Sequence, residues 1–460
     1  MRRIAASSVA LLLVAACGTP VRYERPAVEL PAAWKESGPR YATDGRWWRV
    51  YDDGALDKLI DEARSGNADL AIAAARVDEA RALLAEQESF FFPRVDAQAS
   101  AARQRISQRN ATSFPGIPNQ FSQYRAGLNV SYEIDLFGRL RSGAAAARAE
   151  LGASEASREA VRLALAAQVA KSYYGLRSFD QQVALTRQTL ELRGEALRLQ
   201  RKRFDAGVIS DFELRQLEAE AAVVRAQLPP LENAREREEA ALAVLLGRSP
   251  REVMEASFAL PPMEDKLSAP VLPTGMPSEL LLRRPDLVGA ERQLAAANAR
   301  VAVARSQMFP SITLTGGLGS ESRALSDLFT GPATIWNLAA GIAQPIFAGG
   351  RLEAQTDAAR ARERAVLAQY QQAIRNAFGE VRTALIAQAR ARESFDAESA
   401  REEALSQTLR LARLRYENGV ASQLDVIDAE RGLLAARIAR IDALRAHRAA
   451  IADLFRALGG

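Results

Sequence analysis

The sequence predicts an α+β membrane protein made of two tandem structural repeats, each with two β-strands and a pair of long helices. The same order of motifs occurs twice along the 460 residues. Segments in which apolar and polar residues alternate lie between polar loops, as in half-buried strands. Two proline-free stretches of about 66 residues predict helices far longer than the usual globular ones. With 48% hydrophobic and 25% charged residues, the chain is neither disordered nor built only of membrane helices.

The N-terminal segment has the features of a secretory signal. Arg2 and Arg3 precede an apolar run that ends at Ala16, which is too short to span a membrane as a helix. Cys17 follows and is the only cysteine, so neither a disulfide nor a cysteine metal site can form within one chain. The cleavage region resembles the bacterial lipobox, which implies a lipid on Cys17; Gly18 after it implies sorting to the outer membrane.

Matching motifs define the repeat. A helical run ends in Phe-Pro at residues 92–93, and a second one ends in Phe-Pro at residues 309–310. Further along, residues 203–210 match residues 415–422, each with a Gly-Val pair followed by serine. Because these motifs recur in the same order, the chain is a unit of about 200 residues that occurs twice.

Two strands are predicted in each repeat. Residues 124–136 alternate strictly between apolar and polar types, and residues 95–101 alternate more weakly. Residues 311–319 and 336–342 follow the same pattern in the second repeat. Four strands cannot close a barrel, and an open sheet edge cannot lie in lipid. Strands that face lipid therefore require an oligomer, and a trimer provides twelve of them, above the eight of the smallest membrane barrels.

The long helices are joined by tight turns at matching positions. Gly207 and Gly419 fit the left-handed position of such a turn, where a side chain is disfavoured. Ser210 and Ser422 then fit the N-caps of the returning helices. On the residues alone, these four positions are explained equally well as turn residues with no further role.

These motifs together resemble the TolC-type outer-membrane efflux proteins, in particular the lipidated OprM-like (NodT) branch, over essentially the whole mature chain. The resemblance rests on Cys17, the run Arg283–Asp286, both Phe-Pro pairs, both Gly-Val turns and residues 416–460. It implies a trimeric twelve-stranded β-barrel, with four strands per chain, continued by a long periplasmic α-helical barrel. The function implied is the passive exit duct of a tripartite multidrug efflux pump, with a periplasmic gate.

The same resemblance implies location and partners. The protein is expected in the outer membrane, lipid-anchored and in contact with outer-membrane lipid, with a large periplasmic portion. Its expected partners are two further copies of itself, a periplasmic adaptor (membrane fusion) protein and an inner-membrane RND pump. No enzyme activity is expected, and no cofactor other than the covalent lipid on Cys17.

The resemblance also implies site residues. The periplasmic gate is assigned to Leu424, Asp428, Arg431 and Tyr416. Asp428 and Arg431 lie one helical turn apart and can pair, and Arg431 interrupts an apolar stripe, which is costly unless it has a partner. The alternative is an ordinary surface pair that contributes little. The residues implied to contact the adaptor at the helix tips are Gly207, Val208, Ser210, Gly419, Val420 and Ser422.

The predicted domains follow the repeat. They are a signal peptide (1–16), an N-terminal anchor and equatorial segment (17–66), a first repeat (67–248), a Pro-rich inter-repeat equatorial segment (249–283) and a second repeat (284–460). The elements predicted inside the repeats are strands at about 94–106, 123–136, 310–320 and 335–346, and helices at 140–206, 211–246, 351–418 and 422–456.

Other functions receive less support. The formal net charge is +5, but charges of both signs are interspersed, which argues against nucleic-acid binding. His447 is the only histidine and is expected to be a surface or interface residue, and phosphate-loop and nucleophile-elbow motifs are missing from the sequence. Exit ducts for type I protein secretion or for metal ions remain alternatives, as does a periplasmic coiled-coil scaffold.

Overall fold

The computed structural model describes residues 23–27, 45–107, 119–261, 263 and 280–460. Cys17, the signal segment and residues 262 and 264–279 of the Pro-rich segment lie outside the described residues. The helices are α1 (Gly54–Gly66), α2 (Ala68–Ser89), α3 (Arg139–Asp205), α4 (Asp211–Leu245), α5 (Pro250–Met254), α6 (Leu280–Arg283), α7 (Pro285–Ser306), α8 (Arg351–Glu417) and α9 (Gln423–Leu458). The strands are β1 (Arg94–Arg105), β2 (Gln120–Ile134), β3 (Ser311–Ser322) and β4 (Thr334–Ala343).

The order of elements occurs twice, which confirms the predicted fold class. The series α2-β1-β2-α3-α4 matches the series α7-β3-β4-α8-α9. The matching helices are equal in length, with 22 residues in α2 and α7 and 67 residues in α3 and α8. By contact density the chain divides into two compact units, a strand unit and a helical unit.

The strand unit contains residues 76–155 and 289–371 together with the described N-terminal residues 23–27. Its sheet has the order β1-β2-β3-β4, and every neighbouring pair is antiparallel. Residues 23–27 are fastened to α7 by Arg25, whose guanidinium donates to both carboxylate oxygens of Glu291 at 2.7 and 2.5 Å.

Two strands end earlier than the alternation predicts. β2 ends at Ile134, because the Asp135 carboxylate accepts the backbone N–H groups of Leu140 at 3.0 Å and Arg141 at 2.8 Å and so caps α3. β4 ends at Ala343, because Pro345 has no N–H group to donate to a neighbouring strand.

The helical unit contains residues 156–288 and 372–460 and the described part of 28–75. Its core is aromatic, and the Trp47 ring stacks on Phe455 with 5.3 Å between ring centroids. Asp53 caps α1 and binds α3, accepting from Arg177 Nη1 at 2.6 Å and from the Tyr173 hydroxyl at 2.9 Å. A partly buried carboxylate with this many donors is well compensated for its desolvation.

Arg284 gives the Arg-Arg-Pro-Asp run a structural role in this unit. Its buried guanidinium donates to Asp286 at 2.7 Å, to Glu380 of α8 at 2.8 Å and to the Ala457 carbonyl of α9 at 2.9 Å. One side chain therefore fastens the start of α7 to two other helices.

The expectation that His447 lies at the surface or an interface is wrong. Its side chain is fully buried in α9, and neither ring nitrogen has a hydrogen-bond partner within the described chain. Burial, reinforced by the positive charges of Arg448 and Arg392, lowers the pKa of His447 to about 4, so the ring is neutral at neutral pH. The reason is that the second half of α9 is buried on nearly every side. Leu444 and Ile451 are among its other buried residues.

Candidate functional site

The turn between α3 and α4 is built on a positive backbone angle. Gly207 has φ +71°, and its N–H donates to the Phe204 carbonyl at 2.8 Å. The N–H of Val208 reaches back to the Arg203 carbonyl, also at 2.8 Å. This pair of bonds is the Schellman arrangement, which satisfies the last carbonyls of a helix and requires a left-handed residue.

The turn between α8 and α9 has the same geometry. Gly419 has φ +72° and donates to the Tyr416 carbonyl at 2.9 Å, and Val420 donates to the Arg415 carbonyl at 2.9 Å. A Cβ on either turn glycine would meet no atom within 4 Å. Glycine is therefore required for its backbone conformation and not for space.

Both returning helices begin with a capping box. Ser210 accepts the N–H of Glu213 at 3.3 Å, and the Glu213 carboxylate accepts the Ser210 N–H at 2.8 Å. Ser422 and Asp425 make the same exchange at 3.3 and 2.7 Å. Hydrogen bonds from the serine backbone and hydroxyl lower the pKa of both carboxyl groups. Each turn is therefore closed by Schellman bonds at the end of the first helix and by a capping box at the start of the returning helix.

The tips expose apolar side chains. Val208 is 61% exposed and Val420 is 65% exposed, and each directly follows a turn glycine. Phe212, which the sequence interpretation did not select, is 76% exposed in the first turn of α4. Exposed apolar residues grouped at a rigid turn are typical of a contact surface.

The residues predicted for the gate lie on both sides of the second tip. Asp428 and Arg431 pair on the surface of α9, with 3.2 Å between Arg431 Nη1 and Asp428 Oδ1. Leu424 lies one turn before them and is exposed. Tyr416 lies at the end of α8, and its described contact with the turn is made by its carbonyl and not by its ring.

Arg431 also has a partner that the sequence interpretation missed. Its Nε donates at 3.2 Å to the carboxylate of Glu220 in α4, and its Nη2 donates to the other oxygen of that carboxylate. The Glu220 side chain is 7% exposed and also accepts from Arg193 Nη1 of α3 at 2.8 Å. One carboxylate thus joins α3, α4 and α9. A cavity of about 290 Å³ lies beside it among α3, α8 and α9.

The repeat contained the signal for this contact. Residues 207 and 419 are equivalent, which makes Ala219 the counterpart of Arg431 in the first repeat. Glu220 is the next residue, so it lies about as far along α4 from the first turn as Arg431 lies along α9 from the second. Hydrogen bonds from Arg431 and then Arg193 lower the pKa of Glu220, although burial acts in the opposite direction. The carboxylate is therefore charged at neutral pH.

No metal centre is formed by the described residues, since they contain no group of three or more His, Cys, Asp or Glu side chains arranged to hold an ion. No helix in the described part of the chain is both long enough and apolar enough to cross a membrane.

A family model described as "Outer membrane efflux protein" matches residues 59–248 and 276–460. The chain belongs to the outer membrane efflux protein family. Among the relatives of this outer membrane efflux protein, the antibiotic efflux pump outer membrane protein ArpC of Pseudomonas putida is 33% identical, over 98% of this chain and 94% of its own. The cation efflux system protein CusC of Escherichia coli is 32% identical, over 98% of this chain and 96% of its own.

Solved structures agree with this assignment. The outer-membrane channel OprN is similar with a TM-score of 0.86 and 31% identity, over 96% of this chain and 99% of that one. The outer membrane efflux protein described here is therefore a TolC-like channel of the outer membrane with a large periplasmic helical portion, which conducts passively and is not an enzyme.

Proposed function

We propose that three copies of the chain form a twelve-stranded β-barrel in the outer membrane, continued by a periplasmic α-helical barrel. The observation that carries this proposal is the sheet. Within the described chain β1 and β4 are its outer strands, each with a single neighbour, and one face exposes Trp336, Leu338 and Ile342. Lipid tolerates apolar faces but not unpaired strand edges, and pairing β4 of one copy with β1 of the next removes every edge.

We propose that Cys17 carries the lipid anchor. It is the only cysteine of the chain and directly follows the apolar signal segment. The described residues start at Tyr23, six positions after Cys17, and Arg25 is hydrogen-bonded to Glu291 in the strand unit. An acyl chain on Cys17 therefore adds membrane affinity to a part of the protein held close to the sheet.

The periplasmic gate is assigned to Leu424, Asp428, Arg431 and Tyr416. In a three-fold assembly Asp428 forms a ring of three carboxylates, which favours cations over anions. Arg431 supports closure, because it holds Asp428 on its own helix and Glu220 on the neighbouring hairpin. Opening requires α9 to separate from α4, which breaks this contact, and the adjacent cavity leaves space for that movement.

The six tip residues are assigned to the contact with a periplasmic adaptor protein: Gly207, Val208, Ser210, Gly419, Val420 and Ser422. Two rigid, capped turns with exposed valines at equivalent positions offer the same small surface twice per chain, and six times per trimer. The adaptor would link this surface to an inner-membrane RND pump, which supplies the energy.

The cargo proposed is a set of antibiotics and related small molecules, since ArpC belongs to an antibiotic efflux pump. A second candidate cargo is a metal cation, because CusC belongs to a cation efflux system. Antibiotic and metal susceptibility of a host with and without the chain, together with its adaptor and pump, distinguishes the two. Protection against antibiotics alone supports the first cargo, and protection against metal salts alone overturns it.

The oligomer is tested by light scattering of the detergent-purified protein, corrected for bound detergent. A protein mass of three chains is expected. A single chain that stays soluble without detergent would overturn the barrel and favour the periplasmic scaffold.

A further inference from the structure

The two faces of the sheet differ in chemistry. The register places Leu128, Leu318 and Trp336 in one row on the face whose large apolar side chains are exposed. The row next to them on the opposite face contains Asn129 and Asn337, with Gly317 between them. In the proposed barrel the first face meets lipid and the second faces the lumen.

Charges on the lumen face occur only at the two ends of the described strands, and each is paired. At the end next to the helices, Arg94 binds Asp96 at 2.9 Å, and Glu133 binds Arg139 at 2.6 Å. The middle of the face carries neutral amides, and the Asn129 amide donates to Gln98 at 2.9 Å. On the described strands, charge therefore reaches the lumen face as matched pairs.

The third pair lies at the opposite end, next to the hairpin connections. Arg125 and Glu321 are directly opposite each other on β2 and β3. Arg125 donates to one Glu321 oxygen from Nη2 at 2.6 Å and from Nε at 3.0 Å, and Gln123 donates to the other oxygen at 2.7 Å. Both carboxylate oxygens are thus held in place. Because the helices leave from the other end of the strands, this pair lies at the outer mouth.

We propose that the Arg125–Glu321 pair keeps its own rung, near the outer end of the barrel, electrically neutral, and that these two residues influence which ions pass there. This inference rests on the proposed trimeric barrel. Three-fold symmetry turns the pair into three positive and three negative charges on one rung, whose fields cancel along the axis. If one partner is neutralised, a ring of three like charges remains, and such rings select ions of the opposite sign. A neutral rung does not select between anionic, cationic and neutral cargo.

The test is the reversal potential of single channels in planar bilayers under a KCl gradient, with the full-length purified trimer. Glu321→Gln leaves Arg125 unpaired and is expected to raise the chloride-to-potassium permeability ratio by at least about 2-fold. Arg125→Gln leaves Glu321 unpaired and is expected to lower the ratio to a similar extent. The double variant is the matched control and should return to the wild-type ratio, because both changes keep an amide of similar shape.

Opposite shifts that cancel in the double variant support the inference. Currents that share one reversal potential in all four proteins would overturn it and leave the duct itself intact. Trimers shown to be inserted that carry no current, wild type included, would instead refute the proposed duct, and with it the selectivity assigned to the pair.

Discussion

The contact that most sharply tests the gate is the one made by Glu220, because removing its charge affects three helices at once. Glu220→Gln keeps the size of the side chain but takes away the counter-charge of Arg193 and Arg431. Arg193 is only 10% exposed, and stranding one member of a buried ion pair costs about 3–5 kcal/mol. Arg431 is 54% exposed, so its share is about 0–1 kcal/mol.

The glutamine oxygen still accepts one hydrogen bond, which retains part of this energy, and we expect a net loss of about 2 kcal/mol in local stability. That corresponds to roughly 30-fold more frequent opening of the contact. The assay is native-state hydrogen exchange of the backbone amides around Glu220 in α4 and around Arg431 in α9.

The matched control is Glu218→Gln, two residues away on the same helix. Glu218 pairs with Arg201 of α3 and with Arg215 at 3.0 Å, and it makes no described contact with α9. Its amide exchange should stay within about 2-fold of wild type. Exchange in Glu220→Gln that matches this control in both helices would refute the reasoning.

Three further predictions follow from the same geometry. Gly419→Ala should destabilise the second tip by about 1–2 kcal/mol, because residue 419 has a φ of +72°, and Gly207→Ala should destabilise the first tip equally. Both effects are measurable as faster hydrogen exchange of the tip amides. No effect in either variant would contradict the turn assignment. Because the pKa of Glu220 is lowered from its usual 4.5, its contact with Arg431 is complete above pH 4.5 and is lost as the pH falls through the lowered value. Channel activity should therefore rise only in solutions more acidic than pH 4.5. A rise between pH 5 and 7 would exclude Glu220 as the group responsible. With the pKa of His447 lowered from 6.5 to about 4, the free energy of unfolding measured with denaturant should fall as the pH drops through this interval. His447→Leu should flatten this pH dependence and leave the free energy of unfolding at pH 7 equal or higher.

Local patterns in the sequence predict much of this fold. Alternation places β1 to β4 within a few residues of their observed ends, since each strand has one lipid-type face and one polar face. The turn glycines and cap serines also follow from local chemistry, because a left-handed residue and a capping box need only their own neighbours. The predicted end of β2 was wrong because Asp135 fits the polar positions of the alternating pattern but caps a helix in the structure.

Contacts between distant segments could not be predicted in the same way. Asp428–Arg431 is visible as an i,i+3 spacing, but Glu220 becomes a partner only when α4 packs beside α9. The burial of His447 also depends on packing between distant segments. Its neighbours along α9 are mostly alanine and arginine, which carry little periodic signal, so the burial of this half of the helix depends on what surrounds it.

The central claim is a channel that is closed at its periplasmic end by the α9 contacts. The most direct measurement is the conductance of the detergent-purified protein in planar bilayers, with wild type beside Asp428→Ala. The account predicts small, rarely open currents for wild type and larger, steadier currents for the variant. Equal currents from both would contradict the gate assignment, and no current from either, with the protein shown to be inserted, would contradict the duct.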